Sequence, residues 1–249
     1  MAPLIALFTD FGLADPYVGQ VHAVLAQRAP GVPVVDLFHH APSFDIRAAA
    51  YLLPAYVREL PVGSIVVGVV DPGVGGPRNA VLVRADSRWY VGPDNGLFEL
   101  VARRARRLDV HQIDWRPGQL SASFHGRDLF APAAAVLARE ELPAASPGRL
   151  TPVDPPWPDD LAQVCYLDHY GNAITGMRAA SVPAGSLIRI AGHRLVPARV
   201  FSDVPTGQAL WYENANGLVE IAVNRGDAAR TLGLALGTPF DVVPTNGDA

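Results

Sequence analysis

The 249-residue chain contains no lysine, and all 20 of its basic residues are arginines. This absence excludes a lysine Schiff base, a pyridoxal-phosphate anchor and the phosphate-binding lysine of a P-loop. Cys165 is the only cysteine and lies in an apolar run, so disulfides and cysteine-based metal sites are excluded as well. The sequence also lacks a Gly-x-Gly-x-x-Gly fingerprint, which disfavours nicotinamide binding, and it has no run of about 18 apolar residues to span a membrane.

The chain also lacks a strong charge of either sign. Its 20 basic and 24 acidic residues give a formal net charge of −4, without a long run of like charges. We therefore expect neither a nucleic acid nor a membrane surface as a partner. A hydrophobic fraction of 49% is typical of a soluble globular protein. The first residues have no basic segment of the kind that opens a signal peptide, so we predict a cytoplasmic location.

The first part of the chain alternates short apolar runs with helix-period patterns. Apolar runs at residues 4–8 and 64–70 predict buried strands, a helical pattern begins at Tyr17, and residues 79–91 are typical of a hairpin. This alternation predicts an α/β domain over residues 1–145, with a mostly parallel, Rossmann-like sheet and flanking helices.

The composition changes at residues 146–160, where Pro, Ser, Gly and Asp predict a linker. After this segment the helical periods largely disappear. Short β-rich runs follow, separated by turn residues such as Asn216-Gly217. We expect a C-terminal antiparallel β-barrel domain over residues 161–249.

Polar loops occur at several predicted strand ends. Thr9-Asp10-Phe11-Gly12 follows the first strand, Asp71-Pro72-Gly73-Val74-Gly75 follows a later one, and Gly92-Pro93-Asp94-Asn95-Gly96 follows the hairpin. Phe124-His125-Gly126-Arg127-Asp128 precedes a predicted helix. Turn chemistry explains each loop taken alone. Because the carboxyl ends of parallel strands form the ligand crevice of an α/β sheet, the four loops together indicate a binding site.

A metal site is a weaker interpretation of the same loops. Its possible ligands are Asp10, Asp15, Asp71, His125 and Asp128. No pair of histidines has a spacing typical of metal ligands, so we predict that the site contains no metal.

Together with Arg78 and the later motif Asp168-His169-Tyr170-Gly171-Asn172, these four loops resemble the motifs of a known family. In this order they resemble the S-adenosyl-L-methionine (SAM) hydrolase family, also called SAM hydroxide adenosyltransferase, which is related to the SAM-dependent fluorinase and chlorinase. The similarity extends from Thr9 to about Asn224. It implies an α/β domain, a β-barrel domain and a homotrimer, with each SAM between the N-terminal domain of one subunit and the C-terminal domain of its neighbour.

The resemblance implies hydrolysis of SAM to adenosine and L-methionine, with SAM as substrate and no cofactor. The family activates water with an Asp, an Arg and a His, which match Asp71, Arg78 and His125. The sulfonium is already a good leaving group, so the enzyme must supply hydroxide in line with C5′, although water has a pKa of about 15.7. An arginine favours hydroxide, and a histidine can accept or relay the proton. Whether Asp71 or His125 finally holds the proton stays open.

The resemblance also implies a set of substrate-binding residues. Asp10 matches the residue that holds the ribose hydroxyls, and Asp15 and Asp168 match contacts to the methionine ammonium. Other matches contribute aromatic walls or polar contacts around the nucleoside: Phe44, Asn95, Phe124, Tyr170, Asn172, Phe201, Val223 and Arg225. The halogenating relatives hold the methionine carboxylate with a serine and an arginine, which align here with Ala215 and Asn216. We therefore expect Asn214 or Asn216 and backbone amides to hold it.

Two other functions share these residues. A SAM-dependent halogenase would use the same in-line attack, but the carboxylate of Asp71 would repel a halide beside the nucleophile. A non-catalytic SAM or adenosine sensor would keep the binding residues without needing Asp71, Arg78 and His125, which are all present. Hydrolysis is the function that the residues favour.

Overall fold

The computed structural model describes residues 3–244, and the chain divides into two compact units, Met1–Trp157 and Pro158–Ala249. The first unit contains a seven-stranded sheet with strand order β2-β1-β3-β5-β4-β6-β7. Its strands are β1 Ile5–Thr9, β2 Val34–Phe38, β3 Ile65–Val69, β4 Ala80–Ala85, β5 Arg88–Pro93, β6 Leu108–Ile113 and β7 Ala145–Pro147. All residues of β1 and β3 are buried, which explains why these strands read as continuous apolar runs.

The first sheet is mixed, which corrects the expectation of a mostly parallel, Rossmann-like sheet. The four strands β2, β1, β3 and β5 are parallel, whereas β4 pairs antiparallel with β5 and β6, and β6 pairs antiparallel with β7. The physical reason is the short connection Asp86-Ser87 between β4 and β5. Two residues can reverse the chain into a hairpin, but they cannot make the crossover that a parallel pair requires.

Helices flank this sheet. They are α1 Tyr17–Arg28, α2 Ile46–Tyr56, α3 Glu99–Arg104, a π-helical turn at Gly126–Phe130 and α4 Ala131–Leu137. Asp45 caps the N-terminus of α2, and its side chain accepts a hydrogen bond from the Ala48 backbone N–H at 2.9 Å. Across residues 3–244, no helix has the length and apolar character that a membrane crossing requires.

Most of the predicted linker at residues 146–160 packs on the first unit. Strand β7 pairs with β6, the Thr151 hydroxyl donates to the Asp94 carboxylate at 2.7 Å, and the Trp157 ring lies 6.4 Å from the Tyr51 ring. The Pro-rich composition predicts a linker here. However, these contacts fix residues 146–157 on the unit that precedes them, so this part is not a free linker.

The second unit contains another seven-stranded sheet, with strand order β14-β10-β11-β12-β13-β9-β8. Its strands are β8 Leu161–Leu167, β9 Ala173–Arg178, β10 Leu187–Ile190, β11 His193–Pro197, β12 Ala209–Glu213, β13 Leu218–Val223 and β14 Phe240–Val243, with a short helix α5 at Ala228–Leu232. An antiparallel bridge between Gln163 and Pro239 brings the two ends of the sheet together, so it is nearly barrel-shaped. The pairs are antiparallel except β11 with β12, and the predicted antiparallel barrel is thus a mixed one.

Candidate active site

The first cluster of predicted site residues lies where β1 and β3 end. These strands are parallel neighbours in which Thr9 pairs with Val69, so the residues that follow them emerge at the same sheet edge. A cavity of about 120 Å³ opens there. It has room for water molecules. Its lining includes Asp10, Phe44, Asp71, Phe124 and His125.

Three predicted catalytic side chains bind one another beside this cavity. Arg78 donates from Nε to the Asp71 carboxylate at 3.0 and 3.1 Å, and its Nη2 also donates to Asp71 Oδ2. The same Nη2 lies 2.9 Å from His125 Nδ1. The side chains of Asp71 and Arg78 are only 3% and 12% exposed, so little solvent screens this ion pair.

The contact between Arg78 and His125 determines the protonation of the histidine. A guanidinium has only donors, so His125 Nδ1 must accept this hydrogen bond through its lone pair. The imidazole is therefore neutral, with its proton on Nε2. Burial and the Arg78 cation both lower the pKa of His125, in agreement with a neutral ring.

Two tight loop contacts hold this cluster together. Gly75 has φ +78°, and a Cβ added to it would lie 2.2 Å from the carbonyl oxygen of Ala122, so the Asp71 loop packs directly against the loop before His125. Asp128, in the π-helical turn, accepts from the Ser121 backbone N–H at 2.9 Å and thereby fixes the other end of that loop. A hydrogen bond from Arg127 lowers the pKa of Asp128, which keeps this acceptor ionised.

Asp10 also lines this cavity. Its Oδ2 accepts from the Phe44 backbone N–H at 3.1 Å. A carboxylate has about four acceptor positions, so Asp10 keeps capacity for further hydrogen bonds. Burial raises the pKa of Asp10, and the charge of Asp71 contributes to the rise. Phe44 is 75% exposed and has φ +64°, a strained backbone that presents its ring to solvent beside the cavity.

Two predicted site residues of the first unit lie outside the lining of this cavity. Asp15 is exposed in the turn before α1. Asn95 donates from Nδ2 to the Val70 carbonyl at 2.9 Å and accepts from the Leu97 backbone N–H, so it ties two strand-end loops together. In the described part of the chain, neither residue lines the cavity, and no three His, Cys, Asp or Glu side chains are grouped as metal ligands.

The second unit contains a larger cavity of about 1300 Å³. Its walls combine aromatic, carboxylate, amide and guanidinium groups. Six predicted substrate-binding residues line it: Asp168, Tyr170, Asn172, Phe201, Val223 and Arg225. The Tyr170 ring is 74% exposed, and Arg225 has φ +57°. The mixed lining, with aromatic rings beside a few polar groups, is typical of a site for a small organic ligand.

Asp168 organises the loop at the rim of this cavity. Its Oδ1 accepts from the backbone N–H groups of Tyr170 and Asn172 at 2.9 and 2.8 Å. Its Oδ2 accepts from the Asn172 side chain at 3.1 Å. The Gly171 between them has φ +82°, and an added Cβ would lie 2.3 Å from the Asp227 carboxyl group. Asp168 is therefore both a loop anchor and a carboxylate facing the cavity.

Asn214 and Asn216 lie in the turn between β12 and β13. The Asn214 side-chain oxygen accepts from the backbone N–H groups of Asn216 and Leu218 at 2.9 and 3.0 Å, and its Nδ2 donates to Glu220 at 3.0 Å. Within residues 3–244, neither asparagine lines the 1300 Å³ cavity. The Asn214 amide is engaged by the turn itself.

Glu220 and Tyr212 line the cavity and are residues that the sequence analysis missed. Glu220 is 6% exposed, and the Tyr212 hydroxyl donates to it. Burial raises the pKa of Glu220, and burial with the Glu220 contact raises the pKa of Tyr212. The signal was present in the sequence, because Glu220 is the single charged residue of the apolar strand Leu218–Val223.

Two family models match the chain in succession. The SAM hydroxide adenosyltransferase N-terminal domain matches residues 5–146, and the SAM hydroxide adenosyltransferase C-terminal domain matches residues 162–241. The chain belongs to the SAM hydroxide adenosyltransferase family. The family identified by the motifs around Asp10, Asp71, His125 and Asp168 is thereby confirmed.

Individual relatives agree with this membership. The (R)-S-adenosyl-L-methionine hydrolase of Thermus thermophilus is 46% identical, over 96% of this chain and 98% of that protein. A solved structure of an uncharacterized conserved protein from Thermotoga maritima has a TM-score of 0.82 and 29% identity, and covers 97% of this chain and all of that one. A fluorinase from Nocardia brasiliensis is more distant, at 24% identity over 96% of each chain.

Proposed function

We propose that this member of the SAM hydroxide adenosyltransferase family hydrolyses S-adenosyl-L-methionine to adenosine and L-methionine. The observation that carries the proposal is the contact of Asp71, Arg78 and His125 beside a small cavity that Asp10 also lines. Its second support is the 46% identical relative named (R)-S-adenosyl-L-methionine hydrolase.

The chemistry explains why so few groups suffice. The sulfonium leaves as a neutral thioether, so no general acid is required at the leaving group. Attack of hydroxide on the cation neutralises charge, and a cavity that excludes bulk water favours that step. The side chains of the site therefore have one task, which is to hold a water molecule and take its proton.

The protonation of His125 supports Asp71 as the proton acceptor. His125 Nδ1 accepts from Arg78, so Nε2–H is a donor. It can orient a water molecule by donating to a lone pair of the water oxygen. The Asp71 carboxylate keeps acceptor positions beyond those that Arg78 fills and lines the cavity. We assign proton acceptance to Asp71, orientation of the water to His125, and stabilisation of the developing hydroxide to Arg78.

Substrate binding is divided between the two units. Asp10 provides carboxylate acceptors for the ribose hydroxyls, with Phe44 and Phe124 beside it. Asp168 with Tyr170, Asn172, Phe201, Val223 and Arg225 provides the set in the second cavity, for the methionine ammonium and adenine. Asn214 holds its own turn, so we propose backbone amides near Asn216 for the methionine carboxylate.

We also propose a homotrimer, in which the first-unit residues of one subunit and the second-unit residues of its neighbour bind the same SAM. At SAM concentrations well below KM, where both variants bind SAM poorly, mixing Asp10→Ala protein with Asn172→Ala protein should then restore part of the activity. Mixtures no more active than the two variants alone, or a fully active monomer in sedimentation experiments, would contradict this assembly. The cytoplasmic location stays a prediction.

A SAM-dependent halogenase is the alternative, and the distant fluorinase relative makes it worth testing. The Asp71 carboxylate lines the cavity and would repel a halide there. Purified protein should be incubated with SAM, with and without chloride and EDTA, and the nucleoside identified by chromatography. Adenosine at a rate independent of both additions supports metal-free hydrolysis. A 5′-chloro nucleoside, the absence of any product, or activity lost to EDTA and restored by a divalent ion would contradict it.

A further inference from the structure

Asp36, His39 and Thr9 form a hydrogen-bonded network beside the Asp10 loop, and the proposed mechanism does not use this network. His39 is 3% exposed, with Nδ1 at 2.8 Å from Thr9 Oγ1 and Nε2 at 2.9 Å from Asp36 Oδ1. Thr9 is 2% exposed, and its Oγ1 accepts from the Phe11 backbone N–H at 3.2 Å. This network thus connects Asp36, whose side chain is 44% exposed, to the backbone just after Asp10.

One arrangement of protons gives every donor and acceptor in this network a hydrogen-bond partner. Thr9 Oγ1 accepts from Phe11 and donates its own proton to His39 Nδ1, so that nitrogen carries the lone pair. His39 Nε2–H then donates to the Asp36 carboxylate. Burial raises the pKa of Asp36, but the hydrogen bonds from His39 and His22 outweigh it, so the pKa is lowered and the acceptor stays ionised.

Backbone hydrogen bonds of Thr9 and His39 also hold the Asp10 loop. The His39 carbonyl accepts from the Gly12 N–H at 2.7 Å, and the Thr9 carbonyl accepts from the Ala41 N–H at 3.1 Å. Asp10 lies between these two contacts. A displacement of the His39 ring would therefore be transmitted to the backbone on both sides of the Asp10 carboxylate.

We propose that His39 is a positioning residue for Asp10, and that it acts with Asp36 and Thr9 to fix the loop that presents the Asp10 carboxylate to the ribose diol. Apolar side chains would fill this buried space without the free-energy penalty of burying a hydroxyl and an imidazole. A fully hydrogen-bonded polar chain provides directional rigidity that apolar packing lacks. The inference rests on the proposed function for the identity of the ligand, whereas the loop rigidity can be measured without any ligand.

The first test measures amide hydrogen exchange in the ligand-free protein. Thr9→Val removes the hydroxyl while keeping the shape, and His39→Leu removes the acceptor of that hydroxyl. In both variants we expect the Phe11 and Gly12 amides to exchange about tenfold faster, as expected for the loss of one hydrogen bond. Thr9→Ser keeps the hydroxyl and should exchange like the wild type. Unchanged exchange in Thr9→Val would overturn the proposal.

The second test measures adenosine binding by calorimetry together with SAM turnover. Thr9→Val and His39→Leu should raise the adenosine Kd and the KM for SAM about tenfold, while kcat changes less than about threefold. His39→Asn keeps an acceptor for Thr9 but loses the contact to Asp36, so we expect an intermediate effect. His40→Leu, at the exposed neighbouring histidine, is the control and should match the wild type.

The two tests separate failure of this inference from failure of the proposed function. Wild-type protein that binds neither adenosine nor SAM would contradict the function, and the exchange experiment would then decide the role of His39 by itself. Wild-type binding that is also retained in Thr9→Val and His39→Leu would overturn the positioning role and leave the function intact. A fall in kcat with unchanged KM would likewise overturn it, because that pattern belongs to the reacting groups.

Discussion

The two units differ in what their polar side chains bind. In the first unit, Asp71, Arg78 and His125 bind one another beside a cavity of about 120 Å³. In the second unit, Asp168 and Asn172 hold the rim of a cavity of about 1300 Å³. A small charged cavity suits the activation of water, whereas a wide cavity with aromatic and amide walls suits recognition of an organic ligand. We therefore expect mutations of Asp71, Arg78 and His125 to lower the rate of the chemical step, and mutations in the second cavity to weaken binding.

The largest effect should follow the loss of the ion pair in the first unit. Asp71→Asn removes the proposed proton acceptor, and we expect kcat to fall on the order of 10²–10⁴-fold with SAM affinity changed only a few-fold. Arg78→Ala should give a similar loss, and the double variant should be no worse than either single one, because residues that activate one water act as a unit. Steady-state kinetics and calorimetry provide both quantities.

Arg189→Ala is the matched control, since Arg189 forms an exposed ion pair with Asp241 in the second unit. It should leave kcat unchanged. Additive losses of kcat in the double variant would contradict a joint role of Asp71 and Arg78. A loss of kcat in Arg189→Ala as large as that in Asp71→Asn or Arg78→Ala would remove the distinction between the units.

The next largest effect should come from the loop contact at Gly75. Gly75→Ala places a Cβ within 2.2 Å of the Ala122 carbonyl oxygen at a residue with φ +78°, so the Asp71 loop must move away from His125. We expect kcat to fall about 10- to 100-fold and stability to fall by about 1–3 kcal/mol.

Gly19→Ala is the control for this substitution. An added Cβ at Gly19, within α1, meets no atom within 4 Å among the described residues. Alanine is a better helix former than glycine, so the control should be as stable as the wild type or slightly more stable in thermal unfolding. A Gly75→Ala enzyme with wild-type kcat would show that the close approach of the two loops is not needed for chemistry.

A smaller effect, on binding alone, should follow Asn172→Ala in the second unit. Asn172 is buried, lines the large cavity and donates to Asp168. Its loss should raise KM for SAM about tenfold, which corresponds to about 1.4 kcal/mol, with kcat within a few-fold of the wild type. The exposed amide Gln208→Ala should change neither parameter. A selective loss of kcat in Asn172→Ala would mean that the second unit also takes part in the chemistry.

The smallest effect concerns acid stability in the second unit. Although burial opposes it, hydrogen bonds from Arg178 and Ser181 lower the pKa of Asp160 to about 2 from its ordinary 3.8. A lowered folded-state pKa stabilises the protein above pH 3.8, and this contribution disappears as the pH falls through 2. Asp160→Asn should therefore flatten the loss of unfolding free energy between pH 4 and 2, by at most about 1 kcal/mol because the pair is partly exposed.

Chemical denaturation at several pH values measures this contribution. Asp241→Asn is the control, because the Asp241 side chain is 65% exposed. An Asp160→Asn curve parallel to the wild-type curve would show that the ion pair with Arg178 does not stabilise the folded unit.

Local patterns predicted much of the secondary structure but not the pairing of distant strands. The runs at residues 4–8 and 64–70 correspond to β1 and β3, and the hairpin at 79–91 corresponds to β4 and β5. The sequence does not show that β5 joins β3 in parallel while β4 continues antiparallel to β6, because these pairings depend on contacts between distant segments. Strand β7 was missed, since it falls at the start of the segment whose Pro, Ser and Gly content predicts a linker.

The motifs placed the site loops more successfully than they placed individual side chains. Asp10, Asp71 and His125 do line one cavity, as expected for loops at the ends of parallel strands. Asn95 instead ties two loops together and Asn214 binds its own turn, because a loop amide satisfies backbone groups as readily as a ligand. The sequence analysis missed Glu220 although it is the single charged residue of an apolar strand, because only the fold shows its partners Tyr212 and Asn214.

The most direct test of hydrolysis by Asp71-activated water uses SAM stereospecifically deuterated at C5′ in ¹⁸O-labelled water. Attack of water in line with the sulfonium predicts adenosine with ¹⁸O at its 5′ oxygen and inverted configuration at C5′, formed by the wild type and almost absent from Asp71→Asn. Retention at C5′ would require a covalent intermediate. Unlabelled adenosine, or labelled adenosine formed at the wild-type rate by Asp71→Asn, would contradict activation of water by Asp71.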